Sequence, residues 1–191
     1  YRAALKEDGV NADALLGLCA LLVGQKRVPE AEKWLKTAQA AGINKEKMFY
    51  PLIMVAILKG EKELASGLLA EATKKDPADL RYWTLLADFL LSQGDTQLVE
   101  QTVLPQMQKV LKNKDHFLIH AIRGALLRGK GLRFYKEARL SYLEALALNA
   151  ALPDIWKALL ELDMTIKNPA FTETDVRNQL KIDPENALAN Y

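Results

Sequence analysis

The chain contains few residues that crosslink or interrupt regular structure. It has 191 residues and one cysteine, Cys19, so neither an internal disulfide nor a cysteine cluster for a metal ion can form. Its 7 prolines and 10 glycines form no linker or low-complexity segment. Apolar runs such as residues 51–58 are much shorter than the roughly 20 residues of a membrane-spanning helix. The composition predicts a soluble chain without a membrane span, and leaves open whether it is cytoplasmic or periplasmic.

Small and apolar residues recur at a fixed spacing along the chain. The spacing is 34 residues for three pairs, which are Ala31 and Ala65, Leu35 and Leu69, and Ala38 and Ala72. Trp83 and Trp156 lie two such periods plus five residues apart. We therefore expect about three extra residues within 104–116 and about two within 130–134. A period of this length indicates a repeated helical unit.

Each period is predicted to contain two amphipathic helices. Apolar residues at positions i, i+3, i+4 and i+7 form one stripe in residues 30–42, and the same pattern returns in residues 63–77. Another amphipathic segment precedes each of these, and a short turn joins the two. One helix pair cannot bury its apolar stripe alone, whereas stacked copies can, so the pattern predicts a solenoid. Pro105 falls inside a predicted helix and is expected to kink or interrupt it.

The third period shows most clearly which residue types recur. Large residues come early in its first helix and small residues follow, as in Trp83, Leu86, Ala87, Leu90 and Gly94. Together with the alanines of the other periods, these residues resemble the tetratricopeptide repeat family, whose units are 34-residue helical hairpins. The resemblance implies an all-α fold, a right-handed α-solenoid of antiparallel helix hairpins.

The resemblance also implies repeat boundaries. About five repeats are expected, with a partial repeat at each end, at residues 12–45, 46–79, 80–116, 117–152 and 153–186, with the partial repeats at 1–11 and 187–191. Because both ends of the sequence fall within a unit, we expect a fragment of a longer, bacterial-type protein.

No catalytic constellation stands out in the sequence. It has no phosphate-binding glycine loop, GxSxG motif or HExxH motif, so neither a cofactor nor an enzymatic activity is predicted. His116 and His120 lie four residues apart beside Asp115, a spacing that could hold a metal ion. A site needs three or four ligands, so we favour two partly exposed histidines near a helix start and predict no metal site. Cys19 is expected to be a buried structural thiol.

A partner-binding surface is implied by the resemblance. In this family the first helix of each repeat lines a concave groove, where a peptide or a folded protein binds. The corresponding residues here would form an apolar patch with a charged edge, made of Leu16, Ala20, Val23, Tyr50, Met54, Ile57, Arg81 and Asp88. An exposed apolar patch marks a binding site more often than chance, although neighbouring units could instead cover it. The predicted function is a non-enzymatic protein–protein interaction scaffold.

Basic residues are concentrated in one segment, residues 109–139. Only Asp115 and Glu137 are acidic there, against nine basic residues, which are Lys109, Lys112, Lys114, Arg123, Arg128, Lys130, Arg133, Lys136 and Arg139. Such a patch could attract an anionic polymer. We favour solvated charge over nucleic acid binding, because the sequence does not show whether these charges share one face.

A structural role is the main alternative to partner binding in the groove. The solenoid would then be a spacer or a self-associating arm of a bacterial envelope or secretion assembly, for example one that exports polysaccharide. Self-association is therefore left open by the sequence.

Overall fold

The computed structural model describes residue 1 and residues 11–112 and 115–166, and every regular element in these ranges is helical. None of the described helices is both long and apolar enough to cross a membrane. The predicted partial repeats, apart from residues 1 and 11, lie outside the described residues, as does the second helix of the predicted fifth repeat. The chain divides into two compact units, Tyr1–Phe89 (unit 1) and Leu90–Tyr191 (unit 2).

Unit 1 contains four complete helices and most of a fifth. They are α1 Ala12–Gly24, α2 Val28–Ala40, α3 Phe49–Lys59, α4 Lys62–Lys75 and α5 Leu80–Ser92. The first begins at Asn11, whose side-chain oxygen accepts the backbone N–H of Ala14 at 2.9 Å. A 3₁₀ turn, Lys45–Met48, leads into α3, which accommodates Pro51 because the proline lies in the first turn. This helix ends at Gly60, whose φ of 74° is left-handed and favours glycine.

Buried alanines let the helices of unit 1 approach closely. Ala31 and Ala38 on α2, and Ala65 and Ala72 on α4, have no exposed surface. The first pair packs into a cluster with apolar side chains of α1, and the second pair into a cluster with apolar side chains of α3. The residues that recur at the 34-residue spacing are therefore those that form the buried stripes of α2 and of α4.

Unit 2 begins within α5 and contains five further described helical segments. They are α6 Thr96–Leu98, α7 Leu104–Leu111, α8 Phe117–Gly129, α9 Tyr135–Leu148 and α10 Pro153–Thr165. The sequence pattern does not fix the register of α8, and the structure shows that it buries Ile119, Ile122 and Leu126. A cluster of buried residues on α9 and α10, including Tyr142, Trp156 and Leu159, forms a core of this unit.

A π-helical turn, Val99–Val103, joins α6 to α7. There the backbone N–H of Leu104 donates to the carbonyl of Val99, five residues earlier. The π turn directly precedes Pro105, which then lies in the first turn of α7, where a missing N–H costs little. The α-helical hydrogen-bond pattern is therefore interrupted directly before Pro105, as one form of the predicted kink or interruption, while the backbone stays helical from Thr96 to Leu111.

The π turn also shows where one extra residue of the third period goes. In unit 1 the buried stripe has spacings of four and then three residues, as in Ala31, Leu35 and Ala38. From the π turn into α7, the buried residues Val99 and Met107 are eight residues apart instead of seven, with Val103 and Leu104 both buried between them. A single inserted residue is the usual origin of a π turn in an α-helix. The π turn lies before the segment 104–116, in which about three extra residues are expected, whereas the insertion expected within 130–134 coincides with a 3₁₀ turn, Leu132–Phe134.

Candidate binding cleft in unit 1

Three helix starts of unit 1 meet around a cleft of about 580 Å³. Asp13 and Leu16 come from the start of α1, Tyr50 from the start of α3, and Arg81 and Tyr82 from the start of α5. The 3₁₀ turn before α3 and the end of α4 contribute charged residues, namely Glu46, Lys47, Lys75 and Asp76. The first helix of each of three successive predicted repeats therefore contributes to one cavity. We name it the unit 1 cleft.

Two buried aromatic rings give the unit 1 cleft a rigid apolar wall. Phe49 and Tyr82 are 2% and 8% exposed, and their rings pack edge to face with centroids 6.3 Å apart. Burial raises the pKa of the Tyr82 hydroxyl, so this group stays neutral at physiological pH. Tyr50 also lines the cleft but is only half-buried, so a bound partner could contact its ring.

Ion pairs hold several of the charged side chains around the unit 1 cleft. The guanidinium of Arg81 contacts the carboxylate of Asp79 at 2.6 Å, and the ammonium of Lys75 contacts Glu46 at 2.9 Å. The hydrogen bonds from Arg81 lower the pKa of Asp79, and the same contact raises the pKa of Arg81. Both residues of this pair remain charged across the physiological range. The cleft thus combines aromatic surface with fixed charges of both signs.

The structure brings together only part of the predicted apolar patch. Leu16, Tyr50 and Arg81 line the unit 1 cleft, whereas Asp88 is exposed on α5 and does not. Ala20, Met54 and Ile57 are half-buried and also lie outside the cleft, the last two being packed against the cores of unit 1.

One residue of the predicted patch belongs instead to the core of unit 1. The expectation that Val23 is part of an exposed surface is wrong, because Val23 is 3% exposed and packs in the cluster around Leu15 and Ala31. It is the next-to-last residue of α1, where the sequence pattern gives the weakest indication of which face is buried.

The basic segment 109–139 is partly neutralised by acidic residues outside it. Arg128 pairs with Glu161, Lys130 with Glu100, and Arg139 with Asp163, at 2.7 to 2.8 Å. Lys114 lies outside the described residues. These contacts reduce the charge that an anionic polymer would meet.

The two histidines of unit 2 have structural contacts. The Nδ1 atom of His116 accepts the backbone N–H of Leu118 at the start of α8. The expectation that both histidines are partly exposed is wrong for His120, which is 7% exposed. Its ring nitrogens lie 3.0 Å from Asp115 and 2.8 Å from Glu144. Among the described residues, no group of three or more His, Cys, Asp or Glu side chains is arranged so that it could hold a metal ion. Cys19 is buried as expected, and burial raises the pKa of its thiol to about 11.

A second cavity in unit 1 was not predicted from the sequence. It measures about 460 Å³ and is lined by residues of α2, the 3₁₀ turn Lys45–Met48, α3 and α4. Most of its lining is apolar, with Leu35, Ile43, Met48, Leu52, Val55 and Leu68 as the main side chains. We name it the α2–α4 pocket. The sequence pattern could only assign these residues to the core, because periodicity does not show where two helix pairs fail to fill the space between them.

Comparisons with known proteins show which fold this is. The tetratricopeptide repeat family model matches residues 1–46. TTC0263, a thermophilic TPR protein of Thermus thermophilus, has a similar structure with a TM-score of 0.75 at 19% identity, over 94% of this chain and 95% of that one. No curated protein sequence matches this chain.

Two further solved structures are similar over nearly their whole length. YrrB, a TPR protein with an unusual peptide-binding site, gives a TM-score of 0.53 at 16% identity, covering 99% of this chain and 95% of that one. MamA from Desulfovibrio magneticus RS-1 gives 0.59 at 12% identity, covering 92% and 97%. At these identities the similarity establishes the fold, an all-helical tetratricopeptide repeat solenoid.

Proposed function

We propose that this chain, which has the tetratricopeptide repeat fold and matches the family model over residues 1–46, is a non-enzymatic scaffold that binds a peptide segment of a partner protein in the unit 1 cleft. Proteins with this fold are generally scaffolds that bind other proteins. The observation that carries the proposal is the convergence of Leu16, Tyr50 and Arg81, from three successive first helices, on one cavity.

The physical basis of binding would be a preformed surface. The buried rings of Phe49 and Tyr82 and the ion pair of Arg81 with Asp79 fix the shape of the cleft before a partner arrives. A preformed site lowers the ordering cost that binding would otherwise incur. A bound peptide would cover the half-buried Tyr50 ring, and aromatic side chains of this kind dominate the affinity of many interfaces.

The test is selection from a random peptide library with the 191-residue chain, followed by titration of the enriched peptides. Tyr50→Ala is expected to weaken binding at least roughly tenfold, as for a residue at the centre of an interface. Leu58→Ala, an exposed position on the same helix outside the cleft, is the matched control and is expected to bind like the original chain.

Met54→Ala distinguishes the cleft from the broader patch expected from the sequence. Met54 lies one turn beyond Tyr50 and outside the cleft, so the Met54→Ala variant is expected to bind peptides with unchanged affinity. Circular dichroism of each variant shows whether the helices are retained. If no peptide is enriched, or if Tyr50→Ala binds as well as Leu58→Ala, the proposal is wrong.

The structural alternative, a spacer or self-associating arm, stays a prediction. No contact among the described residues bears on it. Sedimentation of the 191-residue chain over a range of concentrations tests it, because an arm that self-associates becomes larger as the concentration rises.

A further inference from the structure

We propose that the α2–α4 pocket is a binding site for an uncharged, apolar small molecule. The pocket is separate from the unit 1 cleft, because the two cavities share no lining residue. Its volume of about 460 Å³ falls within the range of small-molecule sites, roughly 300–1,000 Å³. Residues of four elements line it, so it is a discrete hollow rather than a stripe along one helix.

The walls of the pocket are apolar and held in place by the core. Leu35, Met48 and Val55 belong to one buried cluster of unit 1, and Leu68 belongs to the other. The pocket therefore lies where the two clusters meet. Leu64 lines it as well and is 51% exposed, so an apolar ligand would cover a leucine that otherwise contacts water. Removing this surface from water favours an apolar occupant.

The charges at the rim of the pocket indicate that the ligand is neutral. Lys59 lies 2.7 Å from both Glu32 and Glu61, and Lys45 contacts Glu71 at 2.5 Å. These contacts raise the pKa of Lys59 and lower the pKa of Glu32, to which nearby Lys36 also contributes.

The charged residues that line the pocket are balanced, with two cations and two carboxylates, which are Lys36, Lys45, Glu32 and Glu61. Three of the four already have an ion-pair partner, Lys59 for both carboxylates and Glu71 for Lys45. A charged ligand that paired with Lys45, Glu32 or Glu61 would have to displace the partner that is already in place. A neutral ligand displaces no ion-pair partner. This match between balanced lining charges and an uncharged ligand is the charge complementarity on which the proposal rests.

Two fluorescent probes that differ by one sulfonate test both parts of the proposal. N-phenyl-1-naphthylamine is uncharged, and 8-anilinonaphthalene-1-sulfonate carries one negative charge on the same ring system. Titrating the 191-residue chain is expected to give saturable binding of the neutral probe at one site. Leu64→Lys is expected to weaken the binding of the neutral probe about tenfold, since part of the apolar wall is replaced by a charged side chain. Leu21→Lys, which changes a leucine of similar exposure on α1, is the control and is expected to leave binding unchanged.

The rim charges are tested with Glu32→Gln/Glu61→Gln, which leaves Lys59 without its two carboxylates. This variant is expected to bind the sulfonate probe several-fold more tightly than the original chain does, with little change for the neutral probe. Non-saturable binding, or equal weakening by Leu64→Lys and Leu21→Lys, would overturn the proposal. The proposal would also be overturned if a leucine-rich amphipathic peptide bound the chain and Leu64→Lys weakened that binding, while the neutral probe did not bind. The pocket would then be assigned to a side chain of a protein partner.

Discussion

The guanidinium Nε of Arg139 on α9 lies 2.7 Å from the carboxylate of Asp163 on α10, and the Asp163 side chain is only 1% exposed. This contact joins the second helix of one predicted repeat to the first helix of the next. Burying a carboxylate is costly unless a cation and hydrogen bonds accompany it. Arg139 is therefore a structural residue of unit 2, although its charge in the sequence suggested a basic surface.

Arg139→Met is expected to destabilise unit 2 by about 3 kcal/mol, because it keeps the apolar stem but removes a cation that contacts the buried carboxylate. Urea unfolding followed by circular dichroism at pH 7 measures this loss. Lys157→Met, which removes an exposed cation from α10, is the control and is expected to change the free energy of unfolding by less than about 0.5 kcal/mol. Equal stability of the two variants would contradict the structural role of Arg139.

Gly124→Ala is expected to destabilise unit 2 by about 1–3 kcal/mol. A Cβ atom at Gly124 would lie 2.5 Å from ring carbons of Tyr142, which is 2% exposed and cannot move into open space. Gly67→Ala on α4 is the control, since a Cβ there meets nothing within 4 Å. By helix propensity alone, that change is expected to stabilise the chain by up to about 1 kcal/mol. The two thermal unfolding midpoints should thus move in opposite directions.

The helices could be predicted from the sequence because their apolar residues recur with helical spacing. The buried stripe of Ala31, Leu35 and Ala38 is one example, and the interruption at Pro105 is another. Both depend on local chemistry that one segment carries by itself. The burial of Val23 could not be predicted in the same way, since it depends on how closely another helix packs at the end of α1.

The candidate sites were less predictable than the helices for the same physical reason. Tyr50 and Met54 are indistinguishable in the pattern of α3, yet only Tyr50 lines the unit 1 cleft. The partners of Lys130 and Arg139 lie 30 and 24 residues away in the sequence. Charge counting along the chain cannot detect such pairs, so it overestimated the basic surface.

Asp79→Asn is expected to make unit 1 less stable at pH 7, with a difference that disappears in acid. Hydrogen bonds from Arg81 hold the pKa of Asp79 below its ordinary value of 3.8 in the folded chain. A carboxyl group with a lowered folded pKa contributes stability above its unfolded pKa, and this contribution is lost as the pH falls through the folded pKa. Urea unfolding of both chains at pH 7 and at about pH 3 and below measures the difference. Asp13→Asn, at an exposed carboxylate of α1, is the control. A constant difference for Asp79→Asn at every pH would contradict the assignment.

Deleting Thr102 tests whether the π turn exists to accommodate Pro105. The deletion removes one exposed residue and returns Val99, Leu104 and Met107 to the four-and-three spacing of the other buried stripes. In an uninterrupted α-helix, however, Pro105 would clash with the carbonyl four residues earlier, at a cost of about 3 kcal/mol. We therefore expect the deletion to destabilise unit 2 strongly when Pro105 is present.

The same deletion in a Pro105→Ala background is expected to cost much less, because alanine has the N–H that an α-helix uses and lacks the ring that clashes. Urea unfolding of the four chains, with and without each change, gives the coupling energy between the two positions. A coupling of at least about 2 kcal/mol is expected if the inserted residue and the proline compensate each other. Additive effects would mean that the π turn forms for a reason independent of Pro105.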